Sequence, residues 1–230
     1  MRLSTIIPTL NEEENIDRLI RRLREYGNSD FSEIIVVDAD STDNTRAVAE
    51  AAGAKVLSAR KKGRAPQMNY GAEHATGDIL YFVHGDSLPP KEYFTDIENA
   101  LEKGHQIGGF RFVFDSDKSV LGFNNYLTRF NKIFVRGGDQ TMFVTRNLFD
   151  RLGGFKNEFR IMEDYDFIER AQKITPFKVI QNDVLVSARK YDTNSWARVQ
   201  IANVIVFSMY RFGASQDRMV NTYKRLLDYR

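Results

Sequence analysis

Residues 34–45 read Ile34-Ile35-Val36-Val37-Asp38-Ala39-Asp40-Ser41-Thr42-Asp43-Asn44-Thr45. The first four residues are all β-branched, which is typical of a strand that is buried on both faces of a sheet. A helix is predicted to follow over 41–52, with Gly53 just past its end. A buried strand, a polar turn and a helix in this order indicate an α/β fold, with a mainly parallel sheet flanked by helices.

The same alternation continues on both sides of this stretch. Strands are also predicted over 3–7, 55–57 and 79–83, and helices over 11–24, with Asn11 as the N-cap, and 67–75. Ligands of such sheets bind beyond the carboxyl ends of the strands. We therefore expect three polar clusters to converge on one edge of the sheet: residues 9–13, 38–43 and 84–87.

The second half of the chain is less regular. The predicted elements are strands over 108–114, 141–144 and 184–186, helices over 120–134, 162–173 and 196–212, and a turn at Gly153-Gly154-Phe155. No repeat or linker divides the sequence, so we predict a single domain over 1–230.

Composition excludes several kinds of site. The absence of cysteine excludes disulfides, zinc–thiolate sites and cysteine nucleophiles, and the presence of only three histidines argues against a histidine-rich metal site. The formal net charge of +2 does not point to a nucleic-acid partner. No apolar stretch approaches the ~20 residues of a membrane-spanning helix. The apolar part of residues 1–8 is shorter than a signal-peptide core, so a soluble, cytoplasmic protein is expected.

Two of the strand-end clusters carry carboxylates suited to ligand binding. Asp38 and Asp40 can accept hydrogen bonds from a nucleobase or a ribose; alternatively, Asp40 or Ser41 caps the next helix, and we expect one to cap and another to contact ligand. In His84-Gly85-Asp86-Ser87, Asp86 can hold Mg²⁺ or Mn²⁺ against a diphosphate, because these ions combine few protein oxygens with phosphate oxygens. An ordinary Gly-Asp turn is the alternative.

Two further charged clusters stand at predicted helix starts. Residues 60–69 contain four cations, among them Arg64, before a helix that starts at Gln67, and both arginine and helix N-termini favour phosphate oxygens. A solvated charged face is the alternative. Glu163-Asp164-Tyr165-Asp166 places three carboxylates at the head of the helix over 162–173, where one can act as a general base. Charge compensation at the helix N-terminus is the alternative.

The C-terminal region adds one cation and one unusual helix. Arg189 follows the strand over 184–186 and can reach a diphosphate, with a solvated strand end as the alternative. The helix over 196–212 is apolar nearly all round but too short to span a bilayer. Three placements are open for it: packing on the domain, a homodimer interface, or peripheral contact with the inner face of a membrane.

In their order and spacing these motifs resemble family 2 glycosyltransferases, which have the GT-A (nucleotide-diphospho-sugar transferase) fold. The resemblance covers about the first three quarters of the chain. It rests on Ile6-Ile7-Pro8-Thr9-Leu10-Asn11-Glu12, residues 36–45, residues 75–82, His84-Gly85-Asp86, Gly153-Gly154-Phe155 and Glu163-Asp164-Tyr165-Asp166. Residues 62–69 and Gly138-Asp139-Gln140 are similar to a subgroup of short, soluble bacterial and archaeal members.

The resemblance implies a role for each matching residue. Asp86 is the ligand of a divalent metal ion, Mn²⁺ or Mg²⁺; Asp164 is the base that deprotonates the acceptor hydroxyl, and Glu163 is its positioning neighbour. Residues expected beneath the acceptor and donor sugar are Gly138, Asp139 and Gln140. With the residues singled out above, the expected nucleotide and donor contacts are Pro8, Thr9, Asn11, Glu12, Asp38, Asp40, Arg64, Gln67, His84, Gly85 and Arg189.

The same resemblance divides the domain by role. Residues 1–105 would form the nucleotide-binding half, residues 106–190 the acceptor and catalytic half, and residues 191–230 a C-terminal helical extension. Two departures from the family pattern bear on the donor site. Ala39 replaces the carboxylate that usually reads the base, so Asp38 or Asp40 must serve or base selectivity is relaxed. His84 replaces a usual Asp, which removes a negative charge near the diphosphate.

The predicted function is metal-dependent, inverting transfer of a sugar from a nucleotide-diphosphate sugar, with UDP-sugars favoured, to an acceptor that the sequence does not name. A nucleotidyltransferase would favour a glycine-rich loop after the first strand, where this chain has Thr9-Leu10-Asn11-Glu12. A non-catalytic nucleotide-sugar-binding protein stays open because of Ala39 and His84, although the presence of Asp86 and Asp164 argues against it.

Overall fold

The computed structural model describes residues 1–30, 32–116, 118, 121–122, 125, 128–130 and 141–228. The predicted helix over 120–134 falls largely outside these residues. The predicted sugar contacts Gly138, Asp139 and Gln140 lie wholly outside them.

The N-terminal part of the chain alternates strands and helices as predicted. Its elements are β1 (Leu3–Thr9), α1 (Glu13–Tyr26), β2 (Ser32–Asp38), α2 (Thr45–Ala51), β3 (Lys55–Ser58), α3 (Arg64–His74) and β4 (Ile79–Phe82). Strand β1 continues past its predicted end at residue 7 and through Pro8. It can do so because β4 stops at Phe82, opposite Ile6, so the missing N–H of Pro8 removes no hydrogen bond to β4.

The second part of the chain contributes four strands and six helices among the described residues. They are β5 (Ser87–Leu88), α4 (Tyr93–Glu102), β6 (Ile107–Asp115), β7 (Met142–Thr145), α5 (Arg146–Leu152), α6 (Glu163–Gln172), β8 (Lys178–Ser187), α7 (Lys190–Thr193), α8 (Trp196–Arg211) and α9 (Gln216–Leu226). Helix α4 is not among the predicted elements, although it buries Tyr93, Phe94, Ile97 and Ala100 at the spacing of an amphipathic helix.

The strands of the described residues form one sheet of eight, in the order β3-β2-β1-β4-β7-β6-β8-β5. Strand β1 pairs in parallel with β2 and β4, β2 with β3, and β6 with β8. Strand β7 runs antiparallel between β4 and β6, and β5 runs antiparallel to β8. The prediction of a mainly parallel sheet is confirmed, with β5 and β7 as the antiparallel members.

Apolar side chains cover both faces of this sheet. Ile34 and Val36 pack in the cluster that includes α1 and α4, whereas Ile35 and Val37 pack in the cluster that includes α3 and α6. Successive side chains of a strand point to opposite faces. A strand that is covered on both sides therefore needs an unbroken apolar run, which explains the four β-branched residues of β2.

The predicted N-cap of α1 is wrong. The helix begins at Glu13, and Glu12 rather than Asn11 occupies the N-cap position. Asn11 instead has a left-handed backbone (φ 56°), and its Oδ1 accepts a hydrogen bond from Thr42 N–H (2.8 Å). The side chain that would have capped the helix therefore connects to the loop after β2.

The predicted turn at Gly153-Gly154-Phe155 follows α5 and is attached to α3. Asn69 Nδ2 donates to the Phe155 carbonyl oxygen (2.7 Å), and Phe155 N–H donates to Asn69 Oδ1 (2.9 Å). Gly154 has a φ of 68°, and a Cβ there would lie 2.7 Å from Asn69 Oδ1. The close approach of the turn to α3 therefore requires glycine.

The C-terminal helices α8 and α9 pack against each other. None of the described helices combines the length and the apolarity that a membrane crossing requires.

Candidate functional site

Hydrogen bonds join the loop after β1 to the loop after β2 at the carboxyl edge of the sheet. Asn11 N–H donates to Ser41 Oγ (2.9 Å), and Thr42 N–H donates to Asn11 Oδ1 (2.8 Å). Glu12 N–H donates to Thr45 Oγ1 (2.8 Å). The polar clusters after β1 and β2 therefore form one surface, as their positions at strand ends predict.

The two carboxylates of the second loop have different surroundings. Asp38 is fully buried, and its carboxylate accepts hydrogen bonds from Thr9 Oγ1 (3.3 Å), from Ser41 N–H (3.0 Å) and from the Ser41 hydroxyl. Asp40 is exposed, has a left-handed backbone (φ 60°) and lies 3.4 Å from Lys62 Nζ. Asp38 thus shapes the loop, whereas Asp40 faces solvent beside the basic segment.

The expectation that Asp40 or Ser41 caps the next helix is wrong. Helix α2 begins at Thr45 rather than at residue 41, and Asn44 occupies its N-cap position. Asp43 accepts the hydrogen bond of Thr45 N–H (3.0 Å), so it satisfies an amide at the start of the helix. The preceding loop residues are used for contacts with the loop after β1.

Helix α3, which follows the basic segment, holds the two strand ends together. Gln67 is buried, and its Nε2 donates to the carbonyl oxygens of Thr9 (2.9 Å) and Val37 (2.7 Å). A buried amide that bonds to both strand ends fixes the relative position of their loops. These bonds support a structural role for Gln67, and its contact with a nucleotide stays a prediction.

The third strand-end cluster joins the first through Arg189. Asp86 lies directly before β5, and Arg189 lies two residues after β8. The Arg189 guanidinium contacts Glu12 Oε1 and lies 3.3 Å from Asp86 Oδ2. Gly85 allows Glu12 to approach, because a Cβ at Gly85 would lie 2.9 Å from Glu12 Cγ. All three predicted clusters therefore converge on one edge of the sheet.

The carboxylates of this cluster raise the pKa of Arg189. Burial lowers the pKa of the guanidinium, but hydrogen bonding and charge attraction from Glu12, followed by Asp86, outweigh burial, so the net shift of the pKa is upward. Arg189 also lines a cleft of about 240 Å³ together with Asp86 and Ser187. One side of the cleft therefore carries the Arg189 guanidinium in contact with carboxylates.

The oxygen donors of this cluster fit a divalent cation. Asp86 and Glu12 supply carboxylate oxygens, which Mg²⁺ and Mn²⁺ prefer. The guanidinium between them shows that their surroundings favour positive charge. Within the described ranges, no three His, Cys, Asp or Glu side chains are grouped to hold a metal ion. A pair of carboxylates suits an ion that also binds diphosphate oxygens and water.

His84 is half-buried next to Gly85, and its contact with ribose or phosphate stays a prediction.

The head of α6 carries a buried carboxylate that lacks a hydrogen-bond donor. Glu163 is 2% exposed, and neither carboxylate oxygen accepts a hydrogen bond from the described residues. Arg64 Nη1, from the start of α3, lies 3.8 Å from Glu163 Oε1, which is ion-pair distance but too long for a hydrogen bond. The adjacent Asp164 is half-buried. The predicted catalytic pair therefore lies beside a cation of the basic segment.

The third carboxylate of this segment has a structural role. Asp166 is buried and pairs with Lys156 Nζ (2.6 Å) and Arg170 Nε (2.7 Å). Arg170 also donates to the carbonyl oxygens of Leu152 and Gly154, so the network attaches α6 to the turn after α5. Asp166 therefore serves as the ion-pair partner of Lys156 and Arg170.

Two residues join the site that were not among the predicted site residues. Lys62 lies beside Asp40, and its sequence signal was the basic segment to which it belongs. Met162, directly before Glu163, has a left-handed backbone (φ 66°). Non-glycine residues hold this conformation only when their surroundings impose it, often at functional sites. Local sequence carries no signal for it, since methionine does not favour positive φ.

A family model described as "Glycosyl transferase family 2" matches residues 4–158. The chain belongs to glycosyltransferase family 2. The match includes the strand-end loops of β1, β2 and β4 and ends before α6 and the C-terminal helices.

Curated relatives of this family 2 chain include two named enzymes. A dolichol-phosphate mannosyltransferase of Pyrococcus furiosus is 32% identical over 119 residues, which is 49% of this chain and 34% of the relative. A glucosyl-3-phosphoglycerate synthase of Mycolicibacterium smegmatis is 33% identical over 100 residues, which is 40% of this chain and 33% of the relative. The matched region thus spans about a third of the length of these relatives.

Solved structures of similar fold come from an archaeon and a bacterium. A mannosyltransferase from Pyrobaculum calidifontis in complex with GDP-Man and Mn²⁺ has a TM-score of 0.69 and 18% identity, covering 98% of this chain and 69% of that chain. Glucosyl-3-phosphoglycerate synthase from Mycobacterium tuberculosis with Mn²⁺, UDP and glucosyl-3-phosphoglycerate has a TM-score of 0.67 and 18% identity, covering 93% and 80%. These likenesses confirm the predicted GT-A fold.

Proposed function

We propose that this chain transfers a sugar from a nucleotide-diphosphate sugar to an acceptor hydroxyl, in a metal-dependent and inverting reaction. The observation that carries the proposal is the cluster of Glu12, Asp86 and Arg189 at the carboxyl edge of the sheet. It combines oxygen donors for a divalent cation with a guanidinium for a diphosphate. Both structures named above contain Mn²⁺ with a nucleotide or nucleotide sugar, which supports the same ligand classes for this chain.

At the donor end, Asp86 with Glu12 beside it would hold Mn²⁺ or Mg²⁺. When bound, the ion neutralises charge on the leaving diphosphate. Arg189 would exchange its carboxylate partners for diphosphate oxygens, since a guanidinium binds phosphate and carboxylate in the same geometry. Arg64 and the N-terminus of α3 add positive potential on the other side of the donor.

At the acceptor end, Asp164 would take the proton of the acceptor hydroxyl. The acceptor oxygen bonds to the anomeric carbon while the bond from this carbon to the diphosphate oxygen breaks, and a single displacement of this kind inverts the anomeric configuration. Glu163 would accept hydrogen bonds from sugar hydroxyls, because a buried carboxylate is stable only when donors satisfy it. In this scheme residues 1–105 bind the nucleotide, with Arg189 added at the diphosphate, and the rest of residues 106–190 supplies the acceptor side. Gly138, Asp139 and Gln140 stay predicted sugar contacts.

Uridine is the base that we favour. Asp40 is the exposed carboxylate of the loop after β2 and can accept a hydrogen bond from a base N–H. Asp38 already binds Thr9 and Ser41. One of the solved structures holds UDP and the other GDP-Man, so a uridine donor and a guanosine donor are both compatible with this fold.

Thermal unfolding with a panel of nucleotide sugars, in Mn²⁺ and in EDTA, tests this function. A ligand that binds only the folded state raises the Tm by mass action. We expect a UDP-sugar to raise the Tm in Mn²⁺ and to lose most of this rise in EDTA. Asp86→Asn should remove the Mn²⁺-dependent part of the rise. Asp150→Asn removes an exposed carboxylate of α5 and is the matched control, which should keep the full response.

The outcomes separate the parts of the proposal. An equal rise of Tm in Mn²⁺ and in EDTA would contradict metal dependence. The absence of any rise across the panel would contradict donor binding. Donor binding without release of nucleoside diphosphate, with water or added acceptors, would favour the non-catalytic interpretation.

A further inference from the structure

Helix α8 has two apolar faces, and only one of them is covered. Val199, Ala202 and Val206 are buried, and Val199 and Ala202 belong to the core cluster that includes α1 and α4. Ile201 (57% exposed), Val204 (65%) and Ile205 are exposed at spacings of 3 and 4 residues, which places them on the opposite face, and the exposed Phe212 (90%) follows directly after the helix. These four side chains are called the exposed stripe. Single exposed apolar residues are common, but several on one side of the molecule indicate an interaction surface.

The neighbouring helix α9 presents a basic face. It is antiparallel to α8, since its C-terminal end meets the start of α8 through Asn194 and through the ion pair between Arg198 and Asp228 (3.1 Å). Met219 and Val220 face inward. Residues exposed on the outer side include three cations: Arg218, Lys224 and Arg225.

The positive charge of this face is not cancelled locally. Residues 196–228 contain five Arg and Lys residues and two Asp residues. Asp217 pairs with Arg160 (2.6 Å), which lies before α6, and Asp228 pairs with Arg198 (3.1 Å). Within the part of the chain that the structure describes, Arg218, Lys224 and Arg225 form no ion pair. The helix pair therefore combines an apolar stripe with a net cationic face.

We propose that α8 and α9 dock on the surface of an anionic lipid bilayer, with the exposed stripe in the headgroup–acyl boundary and the cations of α9 at the headgroups. An apolar face next to Lys and Arg is the pattern of helices that lie in a membrane interface. Anionic headgroups attract basic residues at close range. Helix α8 is too short to cross a bilayer, so it would lie in the plane of the surface.

Charge favours this occupant over a second copy of the chain. A two-fold dimer places the same patch of both subunits face to face. The cationic faces of the two copies would then approach each other and repel, whereas an anionic surface attracts them. The docking surface belongs to α8 and α9, outside the proposed nucleotide site, so it does not rest on the proposed function.

Co-sedimentation of the full chain with vesicles tests the inference. We expect binding to vesicles of phosphatidylcholine with phosphatidylglycerol. Binding to phosphatidylcholine alone should be about 100-fold weaker, since each of the three cations near an anionic surface contributes roughly fivefold. Binding should weaken as salt is raised. The variant with both Lys224→Gln and Arg225→Gln should bind anionic vesicles roughly 25-fold less tightly on the same basis.

Two further variants test whether vesicle binding needs the exposed stripe or any exposed apolar side chain. The triple variant Ile201→Ser, Val204→Ser and Phe212→Ser should lose vesicle binding, because it removes the apolar contact. Ile174→Ser changes an exposed isoleucine outside α8 and α9 and should bind like the unchanged chain. Each variant is first checked for an unchanged Tm, which the exposure of the replaced side chains predicts.

Light scattering at several protein concentrations tests whether a second copy of the chain covers the exposed stripe instead. A dimer that Phe212→Ser converts to monomer, together with no binding to anionic vesicles, would overturn the inference in favour of a second copy. A monomer that fails to bind anionic vesicles would overturn it as well. Equal binding of the triple variant and the unchanged chain would show that the stripe is not the docking surface.

Discussion

Glu163 is a buried carboxylate that receives no hydrogen bond from the described residues. Burial removes water from its carboxylate, and leaving a buried acceptor without a donor costs about 1–3 kcal/mol. Arg64 lies close enough to attract it but not to bond to it. A site that holds an unsatisfied carboxylate next to a half-buried Asp164 suits a ligand with several hydroxyl groups, which is the chemistry of a sugar.

Replacement of Asp164 tests the proposed base. Asp164→Asn keeps the size of the side chain but cannot accept the proton of the acceptor hydroxyl. We expect donor binding to stay nearly unchanged and turnover to fall by about 10²–10⁴-fold. Glu163→Gln should lower turnover less, since its role is positioning. The measurements are turnover and Tm on the same samples.

Asp166→Asn is the matched control on the same helix. Asp166 pairs with Lys156 and Arg170, so its replacement should lower the stability by about 1–3 kcal/mol and leave the rate per folded molecule intact. If Asp164→Asn behaved in this way instead, with lower Tm and full turnover, Asp164 would be a structural residue and the base would have to lie elsewhere.

The two aspartates after β2 should respond differently to substitution. Asp40→Asn should weaken binding of uridine diphosphate by about 3–10-fold, the cost of one hydrogen bond, with little change in Tm. Asp38→Asn should lower the Tm, because it disturbs the buried bonds to Thr9 and Ser41. Calorimetric titration and thermal unfolding give the two quantities. Unchanged affinity in Asp40→Asn would assign base contact to another group.

At the scale of elements, polar side chains fix the strands at both ends. At the carboxyl ends Gln67 joins β1 and β2. At the opposite ends Glu33 accepts hydrogen bonds from Ser4 Oγ (2.6 Å) and from Thr76 N–H (2.5 Å) and Oγ1 (2.8 Å). Arg146 donates to the carbonyl oxygens of Gly77 (2.9 Å) and Ala75 (2.9 Å). These bonds hold β1, β2 and β4 in register and so position the loops of the site.

The contribution of Glu33 should depend on pH. Burial raises the pKa of Glu33, but hydrogen bonds from Ser4 and Thr76 outweigh burial and the net pKa is lowered. A lowered pKa in the folded state stabilises the fold above the ordinary pKa of about 4.5, and this contribution is lost as the pH falls through the lowered value. Glu33→Gln should therefore cost about 1–2 kcal/mol at pH 7 and less in acid.

Chemical denaturation of the unchanged chain and of Glu33→Gln between pH 7 and pH 3 measures the difference in their free energies of unfolding. Glu73→Gln, an exposed glutamate of α3, is the control and should differ from the unchanged chain by less than about 0.5 kcal/mol. If the free energy of unfolding of Glu33→Gln stayed below that of the unchanged chain by a constant amount, or by a growing amount as the pH falls, the hydrogen bonds would not depend on the charge of Glu33.

At the scale of the whole molecule, the sheet order assembles the site from distant parts of the chain. Arg189 is 177 residues from Glu12 and 103 residues from Asp86. Strand β5 begins directly after Asp86 and pairs with β8, with Ser87 opposite Val186. Arg189, just past the end of β8, therefore lies next to Asp86. Helix α8 in turn contacts α6, where the Tyr165 and Phe207 rings lie 5.6 Å apart. The proposed docking surface is therefore one helix away from the proposed base.

Local patterns were sufficient to predict the N-terminal alternation of strands and helices and the convergence of three polar clusters. A strand buried on both faces needs an unbroken apolar run, and parallel strands end at the same edge, so these features follow from short stretches of sequence. The motif set was specific enough to identify family 2, which the match over residues 4–158 confirms.

Contacts between distant segments decided the roles of single side chains. Asn11 does not cap α1 because its amide oxygen binds the loop after β2, and Asp38 is buried while Asp40 is exposed because the two loops interlock. The meeting of Arg189 with Asp86 depends on β8 pairing with β5. Such contacts depend on which strands become neighbours, and pairing between distant segments leaves no periodic signal in either segment alone.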